Sequence, residues 1–66
     1  MAMFNCVIVD DIPSAIDDLT YYIDLIPNLT LTKAYVNPFE ALLEITSGDT
    51  IDLLFVNITM AQMSWV

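Results

Sequence analysis

The chain has 66 residues, 58% of them hydrophobic, and its nine acidic residues face a single cation, Lys33, for a net charge of -8. A domain this small buries only about 60% of the surface its unfolded chain exposes, so an apolar share above the usual half reads as core that needs a partner. The charge argues against unaided binding to nucleic acid or to an anionic membrane surface. Asp10, Asp24, Lys33, Glu44 and Asp52 interrupt every apolar run, so no spanning helix is expected. Cys6 is alone and cannot form an intrachain disulfide, and the apolar start carries no basic residue as a signal peptide would. A soluble, cytoplasmic protein with Cys6 as a small buried hydrophobe is the expectation.

In chain order, Asn5 to Val9 is a continuous β-branched run, as a strand covered on both faces of a parallel sheet reads, and it stops at Asp10 and Asp11. From Pro13 a helical period begins, with Ile12, Ala15, Ile16, Leu19, Ile23 and Ile26 on one stripe, and Pro27 and Asn28 end it. Leu29 to Val36 alternates apolar and polar residues and predicts a second, less completely covered strand. Asn37, Pro38 and Glu40 form a helix start: a capping side chain, a proline at the first position and a glutamate able to reach back. Phe39, Leu42, Leu43 and Thr46 are its expected packing stripe, Glu40 and Glu44 its solvated side, and Gly48 its stop. Ile51 to Val56 is a third apolar strand. Tyr21, Tyr22 and Tyr35 read as packing aromatics.

Strand, helix, strand, helix, strand with short connections predicts one α/β unit over residues 1–66, built from βαβ crossovers. In open parallel sheets, ligands sit beyond the carboxyl ends of the strands. Asp10 and Asp11 close the first strand and Asn57 closes the third, so three short oxygen-bearing side chains should converge there, and hard oxygen donors suit magnesium.

The segments VIVDDIPSA, NPFEALLEI and IDLLFVNITMAQM resemble the first half of a two-component response-regulator receiver domain, and the likeness covers almost the whole chain. The helix start Asn37-Pro-Phe-Glu-Ala is most similar to receivers of LytTR-type regulators, in which a separate C-terminal domain binds DNA. The resemblance implies a flavodoxin-like doubly wound sheet in the order 2-1-3, truncated before strand 4. It also implies that Asp11 ligates magnesium directly, that Asp10 does so mainly through water, and that the backbone carbonyl of Thr59 completes the protein's share. Asn57 stands where the family carries its phosphoacceptor aspartate. Ala61 replaces the family's proline after Met60, and Trp65 stands at a family glycine.

An amide lacks the charge that makes a carboxylate attack phosphorus, so Asn57 should be inert toward phosphodonors whether the change is natural or engineered. Two carboxylates without the third should hold magnesium weakly. The expectation is a degenerate receiver-like module that is not an enzyme and acts by protein contact, its partner a histidine kinase or an output domain. The alternatives are a magnesium-dependent phosphate acceptor that uses another carboxylate and a fragment without an independent role. In the order 2-1-3 the third strand is an edge, and its apolar residues invite a homodimer. Met60, Met63 and Trp65 would add to a contact surface.

Overall fold

The computed structural model describes residues 2–45, 48 and 50–57. Five elements follow in the predicted order: β1 (Phe4–Asp10), α1 (Pro13–Leu25), β2 (Leu29–Tyr35), α2 (Pro38–Ile45) and β3 (Leu53–Asn57). The strands form one three-stranded parallel sheet in the order β2-β1-β3. The fold is therefore α/β, with β1 at its centre. Among the described residues no helix is long and apolar enough to cross a membrane.

β1 is buried from Cys6 to Asp10 because it has a strand on each side and a helix over each face. Its alternate residues feed two separate cores. Cys6 and Ile8 pack with Ile23 of α1, supported by Ile16, Leu19, Leu29, Leu31 and Phe55. Val7 and Val9 pack with Ala41 of α2, supported by Tyr35, Ile45 and Ile51. Cys6 is a free, fully buried thiol, as expected. β2 is covered less completely than β1, also as expected.

The pairing of β1 with β2 shifts register between Cys6 and Val7, so that Cys6 opposes Leu31 while Val7 opposes Lys33. Thr32 is the extra residue, and its hydroxyl donates to the Cys6 carbonyl at 3.1 Å. A bulge reverses the facing of every residue beyond it. Leu29 and Leu31 accordingly join the α1 core, whereas Tyr35 joins the α2 core.

β3 begins two residues later than the apolar run suggests. Asp52 precedes it, its N–H donating to the Asn5 carbonyl at 2.9 Å and its carboxylate accepting from the Asn5 N–H at 2.7 Å. The side chain thus replaces a ladder bond just before regular pairing starts at Cys6 and Leu53. Ile51 is left to pack beneath α2.

Both helices start at a proline, whose missing N–H costs nothing in the first turn. Asn37 caps α2 as expected, its Oδ1 accepting from the Phe39 N–H at 2.8 Å. The predicted packing stripe of α2 is corrected. Pro38 and Ala41 are its buried residues, and Phe39, Leu42 and Leu43 are exposed, Leu43 to 75%. Ala41 and the partly buried Ile45 meet the sheet, and Phe39, Leu42 and Leu43 turn away. Thr46 lies outside the described residues.

Glu44 forms an ion pair with Lys33 of β2 at 3.2 Å, with both side chains about half exposed, which is worth ~0–1 kcal/mol. Gly48 follows α2 with φ 101°, a backbone region that other residues enter only with strain. Tyr21 and Tyr22 are also corrected: they are exposed and contact each other edge to face at 5.6 Å, so only Tyr35 packs in a core.

Two substitutions check this layering. Ile8→Ala should cost about 2–5 kcal/mol, enough to unfold much of so small a domain. Leu43→Ala should change stability by less than ~0.5 kcal/mol. Urea unfolding followed by circular dichroism measures both, and equal effects would contradict the assignment of inner and outer residues.

Candidate functional site at the carboxyl ends of the strands

Asp10 and Asn57 are register partners on the adjacent strands β1 and β3. Side chains alternate along each strand, so Asp10 follows Cys6 and Ile8 onto the α1 face, and Asn57 follows Phe55 onto the same face. Of the three side chains expected to converge here, Asp10, Asp11 and Asn57, the strand pairing brings Asp10 and Asn57 side by side. Among the described residues Asp10 is the only buried charged one, at 1% exposure. Asn57, at the sheet edge, is exposed.

A buried carboxylate is costly unless its oxygens are hydrogen-bonded. Asp10 Oδ1 accepts from the Ile12 N–H at 2.9 Å. This local turn leads the chain from β1 into α1, whose N-cap residue, Ile12, has no side chain able to cap it. Asp10 Oδ2 lies 3.5 Å from the Asn57 Nδ2, a long contact in which the amide donates. Both oxygens of the buried carboxylate thus face donors supplied by the protein itself.

Asp11 lies just past the strand, intermediate in burial, with its Oδ1 shielded from solvent. The acidic pair is therefore split: Asp10 is held within the fold beside Asn57, and Asp11 sits at the mouth of the connection. Thr59, expected to lend a carbonyl, lies outside the described residues, as do Met60, Ala61, Met63 and Trp65.

The donor set fits magnesium poorly. Among the described residues no group of three His, Cys, Asp or Glu side chains is disposed to hold a metal ion. Asn57 presents an N–H donor to Asp10, which repels a cation where an acceptor would bind one. Asp10 thus receives two donors from the described residues.

No known family model matches the chain, and neither a curated protein nor a solved structure matches it.

The role given to Asp10 separates two variants. Asp10→Ala should lose about 1–3 kcal/mol, since the Ile12 N–H is left without its acceptor. Asp10→Asn keeps an acceptor oxygen and should lose less than half of that. Urea midpoints measured side by side test this, and two variants of equal stability would show that the turn does not depend on the Asp10 oxygen.

Proposed function

We propose that this chain is a degenerate receiver-like module that acts by protein contact and carries no phosphate. In this reading β2-β1-β3 with its two helices corresponds to the first half of a flavodoxin-like doubly wound sheet. The observation that carries it is the Asn57 amide turned to Asp10 at 3.5 Å, at the strand end where a receiver has its acceptor carboxylate. An amide there offers no charged nucleophile and already satisfies the neighbouring acid.

Asp10 does not replace the missing acceptor in this account. It is buried, and its two oxygens face donors from Ile12 and Asn57, whereas an acceptor carboxylate must be open to its phosphodonor. The fixed conformation of the strand ends is then the signal, a surface of constant shape offered in the cytoplasm to a histidine kinase or to an output domain. Neither catalysis nor nucleic-acid binding is assigned to this segment.

The test is intact-mass analysis after incubation with millimolar magnesium and acetyl phosphate. The expected spectrum shows the unmodified chain alone. A phosphoryl adduct, localised by fragmentation to Asp10 or Asp11, would overturn the reading in favour of a working switch.

A further inference from the structure

We draw no further inference here: the strongest candidate, the cavity between the carboxyl end of α2 and strands β1 and β2, carries nothing, because its charged groups, Lys33 and Glu44, already pair with each other and the chain between two of its lining residues, Ile45 and Thr50, lies largely outside the described residues.

Discussion

A carboxylate at the buried end of a strand must be satisfied by the protein around it, and that constraint shapes the carboxyl ends of β1 and β3. The alternation that sends Cys6 and Ile8 into the α1 core places Asp10 in the same buried row. Left bare, such a charge would cost several kcal/mol, a large fraction of what a domain of this size can supply. Two neighbours meet the need: the Ile12 N–H, which sets the turn into α1, and the Asn57 amide, which ties β3 to β1 at their last register pair. The contact that leads the chain into α1 is also the one that satisfies the buried acid.

The neutrality of Asn57 follows the same logic. Two carboxylates at this separation in a partly buried site would repel by about 4 kcal/mol at an effective dielectric of ~20 unless a cation lay between them. An amide in that position turns repulsion into a weak attraction and removes the need for an ion. An asparagine at this position therefore favours the fold with Asp10 buried.

Much of this was legible in the residues. The unbroken apolar run of β1, the helical period of α1, the Asn37-Pro38 helix start and the acidic and amide strand ends each point to what the structure contains. Three features were not. The Thr32 bulge is hidden because Leu29 to Thr32 alternates cleanly, and the reversal of facing shows only when β2 is laid against β1. The inward face of α2 was misread because apolar residues ring most of that helix, and periodicity cannot say whether Ala41 or the larger Leu43 meets the sheet. The difference between Asp10 and Asp11 depends on strand phase beyond the apolar run, which adjacent identical residues do not reveal.

The most direct test of the central claim, that the Asn57 amide stabilises a buried Asp10 in place of a cation, is the urea stability of Asn57→Asp with and without magnesium. The account predicts a loss of about 1–3 kcal/mol in a metal chelator, the contact being long and Asn57 exposed, with recovery in millimolar magnesium and no magnesium effect on the unaltered chain. A variant as stable as the unaltered chain in chelator, or one that magnesium leaves unchanged after such a loss, would contradict it.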